Sequence, residues 1–272
     1  MLKIFRARVL PLLLGVCLMG AAGAAAAAGS PVLDRIIKSE TIRVGMSGNQ
    51  PPFNAKGRDG SLIGLEVDLA RALAGALGVR LEIVERPFGN LLGALEKGEV
   101  DMVMSGMAIT KERAREATFL GPYMLSGKSI LTKSETLARA QSAGDINRSE
   151  IRLAALKGST SQAFVERNLS ESKLVTVDDY DEAVSMVLEN KVDAMVADMP
   201  ICMLSMLRFP DAGFATLTRP MTVEPIGIAV SAKDAQFAHI IDNYIDAFEK
   251  TGALDQLRRK WLEDNSWIAA LP

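Results

Sequence analysis

Leu95-Glu96-Lys97-Gly98-Glu99-Val100-Asp101-Met102-Val103-Met104 returns later in the chain, one residue shorter in its turn, as Leu188-Glu189-Asn190-Lys191-Val192-Asp193-Ala194-Met195-Val196-Ala197. Each copy reads as the end of an amphipathic helix, a tight turn and a buried apolar strand. Each strand then runs into polar positions where a new helix is expected, Ser105-Gly106 through Thr110 in the first copy and Asp198 in the second. In open α/β sheets ligands bind outside such strand ends. Two of them predict two α/β lobes facing one cleft.

The rest of the chain supports that plan. Short aliphatic stretches at 42–46, 80–85, 100–104, 128–132, 151–156, 174–177, 192–197 and 226–231 read as strands. Helical patterns at 65–77, 91–97, 161–168, 181–189 and 236–250 alternate with them, which predicts a parallel-sheet α/β architecture. Gly78 and Gly252 close two of these helices. The least apolar stretch, 133–150, separates two sets of βα units. The first crossing between lobes is expected at 124–129, after Gly121-Pro122-Tyr123, and the return at 220–225, through Pro220-Met221-Thr222-Val223-Glu224-Pro225. Lobe 1 then comprises 29–125 and 226–272, and lobe 2 comprises 126–225.

Residues 1–28 carry Lys3, Arg6 and Arg8, an apolar run at 9–19 and an alanine-rich tract at 21–28. This is the pattern of a cleaved secretory signal peptide, and it predicts a periplasmic protein. The apolar run is about half the ~20 residues that a membrane span requires. Cys17 raises the alternative of a lipidated N-terminus, but Val16 before it is bulky and the apolar run continues past it. Of 31 basic and 33 acidic residues, three basic ones lie in this segment, so the remainder has a formal charge near −5. A mildly acidic exported chain lacks the electrostatic footprint of a nucleic-acid or anionic-membrane binder.

Catalytic chemistry has few candidates. His239 is the only histidine and sits in a helical pattern, so neither a serine triad nor a histidine-rich metal site can be assembled. No GxGxxG or GxxxxGK[ST] occurs, which removes the usual dinucleotide and phosphate cradles. Cys202 is the single cysteine after residue 28 and lies in an apolar helix, a core position. The methionines around the two strands, such as Met102 and Met195, read as core filler.

Complementary charges at the strand ends carry more. Thr110 is placed to cap the helix after Ser105-Gly106-Met107-Ala108-Ile109, and Arg113 follows one turn on. Free amides beside a guanidinium suit a carboxylate, because arginine can bind both oxygens at once. Gly158-Ser159-Thr160-Ser161 opens a second helix N-terminus that favours anions. Asp198 stands where a carboxylate can meet an ammonium. The alternatives are an exposed helix arginine, a capping turn without a ligand, and an N-cap for the helix beginning at Met199-Pro200. Phe53 and Phe88 follow prolines in loops, where they either wall a pocket or dock on the core.

Taken together these residues resemble the periplasmic amino-acid-binding proteins of ABC importers, over essentially the whole chain after the signal. The motifs that carry the resemblance are Ile42-Arg43-Val44-Gly45 with Pro51-Pro52-Phe53, Gly64-Leu65-Glu66-Val67-Asp68-Leu69-Ala70, and the block from Val100 through Ser105-Gly106-Met107-Ala108-Ile109-Thr110 to Arg113. Gly121-Pro122-Tyr123, Gly158-Ser159-Thr160 and Glu224-Pro225-Ile226-Gly227-Ile228-Ala229-Val230 complete them. The resemblance implies the type II periplasmic-binding-protein fold, a hinged clamp of two α/β lobes that closes on one small solute. It implies that Arg113 holds an α-carboxylate, helped by Ser159 and Thr160. Asp198, with the Ser105, Gly106, Met107 and Ala108 edge, would hold an α-ammonium, and Phe53 and Phe88 would flank the side chain. It further implies a membrane permease as partner, a monomer, no cofactor and no metal.

Three departures bear on the ligand. Ala108 replaces a common hydroxyl residue, Gln50 a stacking aromatic, and Ser47 the acid common in binders of basic amino acids. A neutral or polar amino acid is therefore expected. The chain also resembles periplasmic cyclohexadienyl dehydratases, in Leu33-Asp34-Arg35-Ile36 and in the tail from Trp261-Leu262-Glu263 to Trp267. That resemblance would make Glu224 a general acid acting on prephenate or arogenate, although Ser161 stands where the dehydratases carry asparagine. A binding lobe that serves a sensor is a third reading.

Overall fold

The computed structural model describes residues 29–272. The expected signal peptide and Cys17 lie outside the described residues. α1 (Pro31–Ser39) leads into β1 (Thr41–Met46), and a small antiparallel sheet follows, made of β2 (Asn49–Gln50), β3 (Asn54–Lys56) and β4 (Leu62–Ile63). Next come α2 (Leu65–Leu77), β5 (Arg80–Glu85), α3 (Leu91–Glu96), β6 (Met102–Val103) and the long β7 (Ala117–Ser126). The second lobe runs β8 (Lys128–Thr132), α4 (Glu135–Ala138), β9 (Arg152–Leu156), α5 (Thr160–Asn168), β10 (Lys173–Val177), α6 (Tyr180–Leu188), β11 (Ala194–Asp198), α7 (Met199–Arg208) and β12 (Ala215–Thr216). β13 (Glu224–Ser231) returns to the first sheet, and α8 (Ala235–Lys250) and α9 (Ala253–Arg258) pack there.

The two large sheets share one plan. The first has the order β5-β1-β6-β13-β7 and the second β10-β9-β11-β8-β12. In each, three neighbouring strands are parallel, and the strand that joins them from the other side is antiparallel. The sequence repeat lies at the equivalent place in both. Gly98 (φ +69°) and Asn190 (φ +56°) end the two helices in the left-handed conformation, which glycine and asparagine tolerate best. The repeated aspartates then make the same bond. Asp101 accepts the backbone N–H of Arg43 at 2.7 Å and its Nη2 at 2.9 Å. Asp193 accepts the backbone N–H of Arg152 at 2.8 Å and its Nη2 at 2.9 Å. Each pair ties the start of one strand to the turn before its neighbour.

The central strands β6, β8, β9 and β11 are almost wholly buried, and one continuous apolar core contains Val44, Met46 and Met102 of the first sheet together with Leu156, Met195 and Val184 of the second lobe. Burial on this scale, at about 1.5–3 kcal/mol for each large apolar side chain, supplies the stability of a chain whose one described cysteine, Cys202, is free.

Two local expectations are corrected. The stretch 117–126 is absent from the expected strands, yet Gly121-Pro122-Tyr123 lies inside β7, which pairs with β13 from Glu224↔Ser126 to Ser231↔Ala117. The register shifts between Ile226 and Ile228, so Pro122 sits in an irregular stretch where the ladder needs no proline N–H. Nor does a regular helix follow the first repeat strand. Ile109 N–H donates to Pro225 O at 2.8 Å, and Met107 O accepts from Gly227 N–H at 3.1 Å. The segment is thus held along β13 until a single 3₁₀ turn at Arg113–Arg115. The helix after the second strand, α7, forms as expected.

Both segments that run between the sheets lie side by side. Lys128 N–H donates to Thr222 Oγ1 at 2.9 Å, and Met221 N–H donates to Lys128 O at 2.7 Å. Their approach requires Gly127, where an added Cβ would stand 1.9 Å from Thr222 O. Gly127→Ala is therefore expected to lose about 3 kcal/mol, the upper end of overpacking costs. Gly75→Ala, at an open position inside α2, should stabilise by up to about 1 kcal/mol. Urea denaturation of both variants checks the contrast, and equal effects would refute the close approach.

Candidate functional site

The lobes meet where the loop after β5 faces the loop after β9. An added Cβ on Gly158 would lie 3.0 Å from Gly89 Cα, so the two backbones touch. Arg113 spans this seam. Its turn is closed by Thr110, whose Oγ1 accepts the Arg113 N–H at 3.2 Å. Its Nη1 donates to Ala108 O at 2.9 Å and its Nη2 to Gly158 O at 3.2 Å, so one side chain bridges both lobes. The guanidinium stacks 5.4 Å above the centre of the Phe88 ring, a cation–π contact. Burial lowers its pKa below the ordinary guanidinium value, while Glu224 and Asp198 act in the opposite direction. The group stays cationic at neutral pH.

A second charged cluster lies beneath it. Asp198 ends β11 and is paired in register with Lys128 at the start of β8. Lys128 Nζ stands 3.0 Å from Asp198 Oδ1 and 3.0 Å from Glu224 Oε2, with its side chain 1 % exposed. Ser126 Oγ also donates to Asp198 Oδ1, at 3.2 Å. Asp198 occupies the N-cap position of α7, but its side chain makes no cap bond there and is directed to Lys128 and Ser126 instead. Glu224 accepts the Thr160 hydroxyl at 2.7 Å and the Thr222 hydroxyl at 3.0 Å. Burial raises its pKa, but Lys128 and the two threonine hydroxyls outweigh that and hold the carboxyl below its ordinary value.

Lys128 is the residue that sequence reasoning missed. The available signal was a lysine opening the otherwise apolar strand Lys128–Thr132, one residue past a crossing glycine. Strand register alone reveals that it faces Asp198.

In lobe 1 a group of polar side chains beneath the seam is joined by hydrogen bonds. Glu66 is fully buried and accepts the Gly106 N–H at 2.6 Å, Asn54 Nδ2 at 2.6 Å and the Tyr123 hydroxyl. Burial raises its pKa against these three donors. Ser105 Oγ donates to Gln50 Oε1 at 2.7 Å and accepts the Ser47 N–H at 3.0 Å. Phe53 packs in the core beneath Gly106, 3.4 Å from where a Cβ would stand. Ser159 caps α5, accepting the Gln162 N–H at 3.1 Å.

The fold thus brings Arg113, Phe88, Thr160 and Asp198 together at the seam, whereas Phe53, Ser105 and Met107 are enclosed by lobe 1. Two grooves open on either side of the contact. One, of about 490 Å³, is lined by Arg113, Ser159, Thr160, Thr222 and Glu224. The other, of about 620 Å³, is lined by Ser47, Asn49, Phe88, Lys157 and Asp179. An apolar groove between α7 and Trp261 is lined by no charged side chain.

The family model of the bacterial extracellular solute-binding proteins, family 3, matches residues 42–264. The chain belongs to that family. This solute-binding protein is 30 % identical to a cyclohexadienyl dehydratase of Pseudomonas aeruginosa over 91 % of its own length and 92 % of the relative's. It is 25 % identical to an L-cystine-binding protein of Escherichia coli, over 90 % of the chain and 94 % of that protein. The crystal structure of an ancestral amino-acid-binding protein described as a precursor of cyclohexadienyl dehydratase superposes with a TM-score of 0.78 at 33 % identity, covering 85 % of this chain and 99 % of the other. Among the described residues of this solute-binding protein, no helix is long and apolar enough to cross a membrane, and no cluster of three or more His, Cys, Asp or Glu side chains is arranged to hold a metal ion.

The depressed pKa of Glu224 has a definite sign. Its stabilising contribution is present above the unfolded-state value of about 4.3 and is lost as pH falls through the lower folded-state value. Glu224→Gln should therefore lower the melting temperature at pH 7. The loss should stay below the ~3–5 kcal/mol of a fully broken buried pair, because Lys128 keeps Asp198. The gap to wild type should shrink as pH drops below about 4, and melting curves in which the gap widens there would contradict this assignment.

Proposed function

We propose that this solute-binding protein works outside the cytoplasm as the receptor of an ABC importer. It captures a small amino acid, neutral or polar, between its lobes and hands it to the membrane permease. The protein acts as a monomer without cofactor, and its chain passes between the lobes at 124–129 and 220–225. The observation that supports this most is the placement of Arg113, whose guanidinium reaches from lobe 1 across the seam to Gly158 O of lobe 2. The carboxylates of Glu224 and Asp198 act on it against the effect of its burial.

A ligand carboxylate would take the guanidinium in a bidentate pair, replacing the weaker carbonyl contact of Gly158. Thr160 and the first amides of α5, capped by Ser159, would complete the anion side. Asp198 would take the ammonium, and the Phe88 ring would wall the side chain. Phe53 and the Ser105 to Ala108 segment would act from beneath, by shaping lobe 1. Because these contacts come from both lobes, binding would favour the closed clamp over the open one.

The dehydratase reading asks Glu224 to deliver a proton near neutral pH, which requires a raised pKa. Glu224 is held below its ordinary value beside Lys128, which supports a binding role instead.

Arg113→Ala is expected to weaken amino-acid binding by at least tenfold, from a loss of about 2–5 kcal/mol, while unfolding stays cooperative. Isothermal titration calorimetry measures it, and wild-type affinity in the folded variant would reduce Arg113 to a strut between Ala108 and Gly158. Incubation with prephenate or arogenate should yield no phenylpyruvate or phenylalanine above the uncatalysed rate. Turnover that disappears in Glu224→Gln would make the chain an enzyme.

A further inference from the structure

We infer that Lys128 is a specificity determinant: its buried ammonium, held between Asp198 and Glu224, sets the net charge of the amino acid that the seam accepts. This deepens the proposed function and rests on it.

Four charged groups sit in and directly beneath the seam, the cations Arg113 and Lys128 and the anions Asp198 and Glu224, while Lys111, Glu112, Arg167, Lys157 and Asp179 line the grooves beside them. Lys128 is 1 % exposed and lies 3.0 Å from each carboxylate. The same two carboxylates act on Arg113 against the effect of its burial. The formal charges of these four groups therefore cancel without a ligand. A zwitterion of zero net charge enters such a site and leaves it balanced. A cationic or anionic side chain leaves one charge uncompensated where solvent screening is weak, and that is costly.

Lys128 is what produces the balance. Without it, Asp198 and Glu224 would face Arg113 alone, and the set would carry one negative charge to be matched by a second cation on the ligand. Strand register makes the lysine hard to move aside, because Lys128 and Asp198 are directly paired across β8 and β11. Its main chain is held as well, by Thr222 Oγ1 on its N–H and Met221 N–H on its carbonyl. The side chain thus acts as a fixed internal countercharge rather than as a mobile surface lysine.

Three variants separate this role from simple structural support. Lys128→Met removes one positive charge, Glu224→Gln removes one negative charge, and the double variant removes both. Wild type, titrated calorimetrically with all proteinogenic L-amino acids, should bind a neutral one at least tenfold more tightly than arginine, lysine, glutamate or aspartate. Lys128→Met should shift the ratio of arginine or lysine to the neutral ligand by at least tenfold toward the cations. Glu224→Gln should shift it by a similar factor toward glutamate or aspartate. The double variant should return to the wild-type order, and because it leaves no unmatched charge it keeps the series interpretable if Lys128→Met fails to fold.

A wild type that prefers a charged amino acid, or single variants that bind with unchanged order, would overturn the inference while leaving amino-acid capture intact. A wild type that binds no amino acid would defeat the underlying reading, and the inference with it.

Discussion

The arrangement depends on one buried ion cluster, Lys128 between Asp198 and Glu224. Each member comes from a different strand, β8, β11 and β13, and two of those strands begin at the points where the chain moves between sheets. Desolvating three charges is expensive unless they compensate one another and their remaining hydrogen-bonding capacity is used. Here Ser126, Thr160 and Thr222 supply that capacity. The cluster specifies how the two crossing segments lie against each other. Gly127 makes the same demand sterically, by leaving room for Thr222 O.

Above that fixed layer the seam is held by fewer, weaker contacts. Arg113 reaches from lobe 1 to a single carbonyl of lobe 2, and Gly89 meets Gly158 backbone to backbone. A carboxylate in place of that carbonyl exchanges a neutral acceptor for a charged one and can engage two guanidinium N–H groups at once. The difference between the two acceptors is the kind of differential contact that a clamp needs in order to sense its ligand.

Lobe 1 answers a different requirement. Its strand-end loop is pinned from inside by Glu66, which collects the Gly106 amide, Asn54 and Tyr123. A buried carboxylate with three donors rigidifies the loop that carries Ala108, the carbonyl against which Arg113 rests. Preorganisation of the cation therefore starts two layers below it.

The sequence alone determined the doubled α/β plan, because the repeated helix, turn and strand needs only local chemistry. An apolar run makes the strand, and Gly98 or Asn190 permits the left-handed turn. It also singled out Arg113, Thr160 and Asp198, since charged and hydroxyl residues at strand ends are conspicuous against an apolar background. β7 stayed hidden because Gly121 and Pro122 read as breakers until the irregular pairing with β13 shows where a proline is tolerated. Lys128 stayed hidden for a deeper reason. A lysine is mostly exposed unless it is paired, and its two partners lie 70 and 96 positions away in the chain. Only the tertiary register of β8 against β11, with β13 returning beside them, decides that this cation is interior and what it neutralises.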